Sequence, residues 1–595
     1  MKKNRKIIFL LMITLFTLTA CISKKSENNN EETVVWNTLE ELVALMTLEE
    51  KIGQMTQAEQ QDILKGDIKK YALGSILSGG DSRPARNIPG GWMYMINGFI
   101  AESLETRLGI PVIYGLDAVH GHSKVADAVV LPHNIGLGAI AAGDEKRGAQ
   151  AAYTAGRITA DEMRATNVFW TFAPVLGAAE DVRWGRTYEC FSEDIQIVTL
   201  MGENVIRGLQ DNGAAACMKH YIGEGQTLNG RNQGNAVLDR AGIDRILPPY
   251  RAAINANALT LMPSFSSVNG KKMHEHKELL TDVLKNELGF NGFVISDWNA
   301  LRQLSGGTYK TQIANAINAG VDMVMATQGR LSWVSFIELL KELVEEGRVP
   351  MSRIDDAVLR ILRVKHELGF LNESTRPFIK EAGIVGSEEN RALARAMVSD
   401  SLVLLKNDKN IISNLLSYKN ILVAGQGAHN IGMQCGGWTI TWQGRQGAIT
   451  KGTTIFEGIH AAVKDRAAVT HSADGRADGN FDLVIAVIGE EPYSEGEGDR
   501  SGNINIRLTD REMLRRIYNY KCPVVVIMIS GRPMNIGDEF KNWDAFIAAW
   551  LPGSEGGGIA DVLFGDRDFI GRTPYTWYAN LGGEVLYPFG FGLSK

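Results

Sequence analysis

The chain has 595 residues, which is more than a single hydrophobic core usually supports, so we expect two domains. With 45% hydrophobic and 22% charged residues, its composition is that of an ordinary globular protein. A net charge of −6 over this length gives no reason to expect a nucleic-acid partner, because such partners favour strongly basic surfaces.

Residues 1–20 are predicted to be a signal peptide and not part of the fold. A basic segment, MKKNRK, precedes the apolar run IIFLLMITLFTLTA, which is short for a transmembrane helix. The run ends in Leu-Thr-Ala-Cys, which resembles the lipobox of bacterial lipoproteins, so we expect Cys21 to be acylated. Residues 21–36 are polar and are predicted to be a flexible tether. An exported lipoprotein, anchored in the periplasm or at the cell surface, is therefore expected; the alternative is a plain signal peptide with a chance cysteine.

Residues 37–370 alternate between short apolar runs and helical patterns. The runs are nearly continuous in apolar residues, as is typical of parallel strands buried on both faces. This alternation predicts a (β/α)8 TIM-like barrel in which one strand is missed or irregular, because only seven runs are found. The seven predicted strands span residues 74–77, 111–117, 169–175, 214–221, 259–265, 292–298 and 322–326.

Polar side chains follow several of these runs. Asp117, the pair Lys219 and His220, and Asp297 stand at the C-terminal ends of separate predicted strands, where barrel enzymes carry their chemistry. Asp297 precedes Trp298, and a carboxylate beside an indole suits attack on the anomeric carbon of a sugar. The alternative for Asp297 is a residue that caps the following helix.

A linker is predicted at residues 371–390 and an α/β sandwich with a mainly parallel sheet at residues 391–595. Its predicted strands span residues 421–425, 482–490, 523–531 and 545–553. The four cysteines after residue 21 match no metal motif, and we predict no disulfide, metal or cofactor.

Several longer motifs carry a resemblance to a known family. The segments YGLDAVHGHSKV, RWGRTYECFSED, CMKHYIGEGQT, GFVISDW and QCGGWTITWQG together resemble glycoside hydrolase family 3, and within it the two-domain β-glucan glucohydrolases of plants and bacteria. The resemblance runs from about residue 39 to the final YPFGFGLSK. Some relatives continue into a fibronectin-type domain, which we expect this chain to lack.

The resemblance implies a two-step retaining mechanism with two carboxyl groups about 5–5.5 Å apart. It assigns the nucleophile to Asp297 of the SDW motif and places the acid/base in the loop GEEPYSEGEGDRSG of the second domain. Glu495 stands at the matching position, with Glu497 as the alternative. We expect burial to raise the pKa of this acid.

The same resemblance implies a sugar pocket. Asp117 would accept hydrogen bonds from sugar hydroxyl groups, while Arg186, Lys219 and His220 would donate to others. Glu189 would hold one of these cations in place.

Two tryptophans, Trp298 and Trp438, would clamp the sugar on the leaving side. Two positions depart from the plant-like pattern: Phe265 stands where those relatives have Tyr, and Gln233 where they have Glu behind the Lys-His pair. These changes concern the fine specificity and not the reaction.

The predicted function is a retaining β-glucosidase or exo-β-glucanase that acts on β-glucans or β-linked gluco-oligosaccharides. A β-xylosidase or arabinosidase is an open alternative. An N-acetylglucosaminidase is disfavoured because Glu224 replaces the His that such enzymes use, and a second domain follows. A non-catalytic glycan-binding lipoprotein is the alternative from another class, and the presence of both candidate carboxylates argues against it.

Overall fold

The computed structural model describes residues 36–380, 382–502 and 504–594. The predicted signal peptide, Cys21 and nearly all of the predicted tether lie outside these residues. Within them, no helix is both long and apolar enough to cross a membrane.

The first half of the described chain is a closed barrel of eight parallel strands. The strands are β1 Thr56–Glu59, β2 Ser75–Ser78, β3 Ile113–Leu116, β4 Trp170–Thr171, β5 Cys217–Tyr221, β6 Thr260–Pro263, β7 Phe293–Val294 and β8 Val324–Met325. Two runs of hydrogen-bonded strands, β8-β1-β2-β3-β4 and β5-β6-β7, are joined into a ring by bridges between Trp170 and Ala215 and between Ile295 and Met323. The predicted barrel is thus confirmed, and all seven predicted strands belong to it.

The strand absent from the sequence-based prediction is β1. Its four residues, Thr-Gln-Ala-Glu, are all buried although three are polar. Gln57 donates to the Ser75 hydroxyl at 2.8 Å, and Glu59 accepts the Gly79 N–H at 2.9 Å. Because such partners allow polar side chains to be buried inside the barrel, this strand does not need an apolar run.

Helices surround the barrel, and two short helices precede it. Most are amphipathic, with one apolar stripe packed on the strands. The helices are Leu39–Leu45, Leu48–Gln54, Asp67–Tyr71, Pro89–Leu104, Asn134–Gly143, Glu145–Arg164, Ile195–Gln210, Arg240–Ile246, Pro248–Asn255, the π-helical Glu278–Glu287, Tyr309–Ala319, Arg330–Glu345 and Met351–Glu367.

The second half is a six-stranded sheet packed with helices, which confirms the predicted sandwich architecture, although the sequence predicts only four of the six strands. The strands are β9 Val403–Asn407, β10 Asn420–Ala424, β11 Ala468–Ser472, β12 Leu483–Gly489, β13 Val524–Ile529 and β14 Ala545–Trp550. Their order in the sheet is β9-β14-β13-β12-β10-β11, and every pair is parallel except β9 with β14. The main helices are Glu388–Ser401, Ile431–Cys435, Ile455–Val463, Leu508–Ile517 and Gly557–Leu563.

The two domains are packed against each other through a common hydrophobic cluster. The sandwich core includes buried barrel residues such as Ile135, Trp184 and Tyr188. Backbone hydrogen bonds also cross the boundary, for example from the His133 N–H to the Leu551 carbonyl at 3.0 Å. The boundary is therefore a continuous apolar contact, and the loops at its edge have fixed positions relative to the barrel.

Candidate active site

A cavity of about 460 Å³ lies at the C-terminal ends of the barrel strands, beneath loops of the sandwich domain. This volume is in the range of small-molecule binding sites. Of the catalytic, binding and supporting residues predicted from the sequence, all but Glu189 line it. They are Asp117, Arg186, Lys219, His220, Gln233, Phe265, Asp297, Trp298, Trp438 and Glu495.

Asp297 is held by groups close to the end of β7. Its Oδ1 accepts the Trp298 N–H at 2.6 Å, and its own N–H donates to Nε2 of buried His274 at 2.9 Å. Nε2 of His220 lies 3.8 Å from the second carboxyl oxygen. Burial, and then the neighbouring Glu495 carboxylate, raises the pKa of Asp297 to about 7.

Glu495 reaches the same cavity from the loop after β12, on the sandwich domain. Its backbone is in the left-handed region, with φ of 51°, which is uncommon for a residue with a side chain. Its Oε1 lies 3.7 Å from Nη1 of Arg186. Burial raises the pKa of Glu495, while the Arg186 cation opposes that shift.

The other three glutamates of this loop have different surroundings. Glu490 is buried and accepts hydrogen bonds from the Tyr493 hydroxyl and the Gly531 N–H. Glu491 is exposed and forms an ion pair with Arg507. Glu497 is exposed and lines a separate, more open depression. Among the four, only Glu495 lines the cavity that contains Asp297.

Two ion pairs order the polar wall of the cavity. Nε and Nη2 of Arg186 donate to the two carboxyl oxygens of Glu189, both at 2.9 Å. Nζ of Lys219 donates to Asp117 at 3.0 Å. Both cations are almost completely buried, so their charges act in a medium of low polarity. Glu189 itself stands behind Arg186 and not at the cavity surface.

His220 is a neutral ring between two carboxyl groups. Burial, and then the Arg186 and Lys219 cations, lowers its pKa well below the usual range. Glu224 lies behind it, with Oε2 2.7 Å from Nδ1 of His220 and Oε1 accepting the His220 N–H at 3.0 Å. Burial raises the pKa of Glu224 to about 7. Glu224 therefore supports His220 from behind and does not line the main cavity.

Three indole rings border the cavity at different depths. Trp298 packs so closely on Gly79 that a Cβ on this glycine would lie 1.9 Å from the ring. Trp438 is only 5% exposed, with Lys219 Nζ 5.7 Å and Arg186 Cζ 5.9 Å from its ring centre. Trp442, four residues later, is 36% exposed and lines both this cavity and the neighbouring depression.

The two departures from the plant-like pattern also reach the cavity. The Phe265 ring lies 6.1 Å from His274 and places no hydroxyl beside Asp297. Gln233 accepts a hydrogen bond from Gln303 at 3.3 Å. It lies on the cavity wall itself, in contrast to the sequence-based expectation of a position behind the Lys-His pair.

His274 and Trp442 are among the residues of this site that were not predicted from the sequence. His274 orients the Asp297 backbone although it lies 23 residues earlier, and no motif marks it. Trp442 stands in the QCGGWTITWQG segment with Trp438, and its exposure identifies it as the tryptophan at the cavity opening. For Trp442, the adjacent polar residues and glycine in TWQG were an available signal.

The arrangement combines two carboxyl groups from two domains, a set of buried cations and three aromatic faces. Charged donors and acceptors suit a ligand with many hydroxyl groups, and indole faces suit the apolar faces of a sugar ring. A carboxyl group with a raised pKa suits proton donation near neutral pH, and a second carboxyl group suits nucleophilic attack once it is ionised.

Comparison with known proteins agrees with this chemistry. The profile described as "Glycosyl hydrolase family 3 N terminal domain" matches residues 47–364, and "Glycosyl hydrolase family 3 C-terminal domain" matches residues 402–595. A lysosomal beta glucosidase of Dictyostelium discoideum is 33% identical over 568 residues, covering 88% of this chain and 68% of that protein. A periplasmic beta-glucosidase of Salmonella typhimurium is 28% identical over 536 residues, covering 81% and 67%.

The crystal structure of an exo-1,3/1,4-beta-glucanase from a Pseudoalteromonas species has the same architecture. It superposes with a TM-score of 0.87 at 37% identity, covering 93% of this chain and 73% of that chain. The likeness therefore extends over both domains and the cavity between them.

Proposed function

The chain belongs to glycosyl hydrolase family 3, and we propose that it is a retaining β-glucosidase and exo-β-glucanase in which Asp297 is the nucleophile and Glu495 the acid/base. The observation that carries the assignment of roles is the meeting of these two carboxyl groups in one cavity, each from a different domain. Asp297 lies at a barrel strand end, and Glu495 on a sandwich loop.

In the first step, a carboxylate oxygen of Asp297 attacks the anomeric carbon of the terminal glucose. The glycosidic C–O bond breaks, and Glu495 gives its proton to the leaving oxygen. The raised pKa of Glu495 favours the protonated form that this step requires. The Trp298 N–H bond to Oδ1 of Asp297 directs the other oxygen, Oδ2, towards the cavity for attack.

In the second step, Glu495 takes a proton from water, and the water oxygen attacks the anomeric carbon. The ester bond to Asp297 breaks, which releases glucose with the β configuration and restores both carboxyl groups. Arg186 lies beside Glu495 and stabilises the carboxylate that forms in the first step.

The hydroxyl groups of the terminal glucose are bound by four charged or polar side chains, those of Asp117, Lys219, His220 and Arg186. The bond between Lys219 and Asp117 orients both groups before the sugar arrives, which lowers the entropic cost of binding. The occupant we propose for this pocket is a terminal, non-reducing glucose, which is consistent with the similar structure named as an exo-1,3/1,4-beta-glucanase.

The three tryptophans contact different parts of the bound sugar chain. Trp298 and Trp442 offer ring faces to the sugar on the leaving side. Trp438 lies deeper, against the two buried cations, and packs beside the terminal glucose.

We also propose that the protein is exported and anchored by a lipid on Cys21. The signal-like segment and its Leu-Thr-Ala-Cys ending support this, and a relative named as periplasmic is consistent with export. Globomycin treatment of cells that express the full chain tests it: a lipoprotein accumulates as its precursor, whereas a Cys21→Ala variant is not affected.

The function is tested with residues 36–595 against aryl β-glycosides of glucose, xylose, galactose and N-acetylglucosamine, and against laminaribiose and cellobiose. We expect the β-glucoside to be hydrolysed fastest, and Asp297→Asn to lose activity by about 10⁴-fold or more. NMR of the first-formed sugar should show the β anomer.

A preference for the xyloside would keep the mechanism and change the substrate to that of a β-xylosidase. Release of the α anomer would contradict the retaining mechanism. A folded protein that binds β-glucans and hydrolyses none of the substrates would favour a glycan-binding lipoprotein.

A further inference from the structure

The segment that presents Glu495 has little regular structure to hold it. It leaves β12 at Gly489 and includes one short 3₁₀ turn, Glu495–Gly498. Within that turn Glu495 is left-handed, a conformation that costs free energy unless the surroundings enforce it. The contacts that enforce it must therefore come from elsewhere in the molecule.

One set of contacts comes from Arg532, in the loop after β13. Its side chain is completely buried. Nη2 donates to the Gly498 carbonyl of the Glu495 segment at 2.8 Å, and Nη1 donates to the barrel carbonyls of Val182 and Arg183 at 3.0 and 3.1 Å. One guanidinium group thus joins the segment, the sandwich sheet and a barrel loop.

The third nitrogen of the guanidinium group, Nε, and the positive charge of Arg532 have their partners within the Glu495 segment. Nε donates to the Tyr493 hydroxyl at 3.0 Å and lies 3.3 Å from Glu490. The Tyr493 hydroxyl in turn donates to Glu490 at 2.8 Å. Lysine could keep the charge of Arg532, but it could not make this set of planar, divergent bonds.

A second set of contacts comes from Asp499, four residues after Glu495. Oδ1 accepts the Gly185 N–H at 2.9 Å, and Oδ2 accepts the Asn232 N–H at 2.7 Å. Both donors belong to barrel loops at the rim of the cavity. The neighbouring Arg500 N–H donates to the Arg183 carbonyl at 3.0 Å.

The barrel loop in these contacts is the one that carries Arg186, the cation beside Glu495. Residues 182–185 of this loop bind Arg532, Asp499 and Arg500. The same contacts therefore set the distance between the Glu495 carboxyl group and its charged neighbour, and they bring that carboxyl group over Asp297.

We propose that Arg532 and Asp499 are positioning residues that hold Glu495 over the barrel for proton transfer. This inference rests on the proposed role of Glu495 as the acid/base. Neither residue lines the cavity with Asp297, and neither would touch the sugar. Their effect is on the geometry of one proton donor.

The leaving-group dependence of the first step tests this proposal. For Asp499→Asn and Arg532→Lys in residues 36–595, kcat/KM would be measured on aryl β-glucosides from dinitrophenyl to unsubstituted phenyl. General acid catalysis contributes about 10²–10⁴-fold where the leaving group is poor. We expect each variant to lose about tenfold or more on the phenyl glucoside and to keep nearly wild-type kcat/KM on the dinitrophenyl glucoside.

Arg391→Lys is the matched control. Arg391 is also buried and pairs with Glu555, and it donates to the Asp127 carbonyl and the Lys451 carbonyl away from the cavity. We expect this variant to lower the melting temperature without changing the dependence on the leaving group. If Arg532→Lys does not fold, Asp499→Asn still tests the proposal, because Asp499 is only half-buried and its substitution disturbs the fold less.

Glu495→Gln separates the positioning role of Arg532 and Asp499 from the acid/base role of Glu495. A steep dependence on the leaving group in Glu495→Gln, together with a wild-type dependence in Asp499→Asn, would overturn the positioning role and leave the acid/base assignment intact. Equal loss on all substrates in both positioning variants would also overturn it. A wild-type dependence in Glu495→Gln would overturn the acid/base assignment and this inference with it.

Discussion

Asp297 and Glu495 face one cavity, but the molecule holds them in different ways. Asp297 follows a barrel strand, and its contacts with the Trp298 N–H and His274 lie within the barrel. Glu495 is on a loop, in a left-handed conformation, and the contacts around it come from two domains. The proposed nucleophile thus has its backbone and carboxyl contacts within the barrel, whereas the segment of the proposed acid/base depends on contacts between the domains.

Chemical rescue gives the largest effect that distinguishes the role of Asp297 from that of Glu495. Glu495→Ala should lose about 10²–10⁴-fold on phenyl β-glucoside, because the proton donor and the base are both gone. Azide should restore turnover of the dinitrophenyl glucoside and yield β-glucosyl azide, because Asp297 still forms the intermediate. The product is identified by NMR. An α-glucosyl azide would instead identify Glu495 as the nucleophile.

A methyl group at Gly185 would disrupt the contact between its barrel loop and the Glu495 segment. Its Cβ would lie 1.8 Å from the Glu495 carbonyl oxygen, so Gly185→Ala must displace the loop. We expect a loss of about tenfold or more in kcat/KM on phenyl β-glucoside and a smaller loss on the dinitrophenyl glucoside.

Gly496→Ala is the matched control in the same loop, because its nearest neighbouring atoms would be 3.9 Å from the new Cβ. It should keep nearly wild-type kinetics. Equal activity of the Gly185 and Gly496 variants would show that the loop tolerates displacement, and the contrast between the two carboxyl groups would then be lost.

A smaller effect is expected at Trp442, the exposed ring at the cavity opening. Removing a stacking face in Trp442→Ala should raise KM for laminaribiose by about threefold to tenfold. Trp442→Phe keeps an aromatic face and should lie nearer to wild type. Steady-state kinetics with a coupled glucose assay measures this, and a change confined to kcat would count against a role in binding the leaving-side sugar.

The smallest change is a displacement of the pH profile. Asp297 must be ionised to attack, and its pKa of about 7 is raised by burial and by the Glu495 charge, so kcat/KM should fall as the pH falls through this value. Glu495→Gln removes that charge, which makes ionisation of Asp297 easier. Its acid limb on the dinitrophenyl glucoside should move to lower pH. An unmoved limb would show that the two carboxyl groups do not interact.

The sequence predicts those parts of the fold whose local pattern matches their environment. Seven barrel strands are apolar runs because both of their faces are buried. The strand Thr56–Glu59 is not found, since its polar residues find partners inside the barrel. In the sandwich, Ala468–Ser472 is missed because it is an edge strand with an alternating, half-exposed pattern.

The residues of the site also differ in whether the local sequence predicts them. Asp297 is suggested by its place at the end of an apolar run, but Glu495 is chosen among four glutamates only through the family resemblance. His274 and Arg532 have no marker in their own segments, because each acts on a partner that is distant in the chain. Such contacts are set by domain packing, which periodicity and composition do not describe.

The division of the cavity wall between two domains also has a consequence for biosynthesis. The barrel is completed first as the chain is made, and domains generally fold as units in that order. A folded barrel at that stage carries Asp297, the proposed nucleophile, and much of the proposed sugar pocket, but it lacks Glu495, the proposed proton donor and base. We therefore expect efficient hydrolysis to begin only when the sandwich has formed and docked on the barrel, so that formation of the domain boundary also completes the active site.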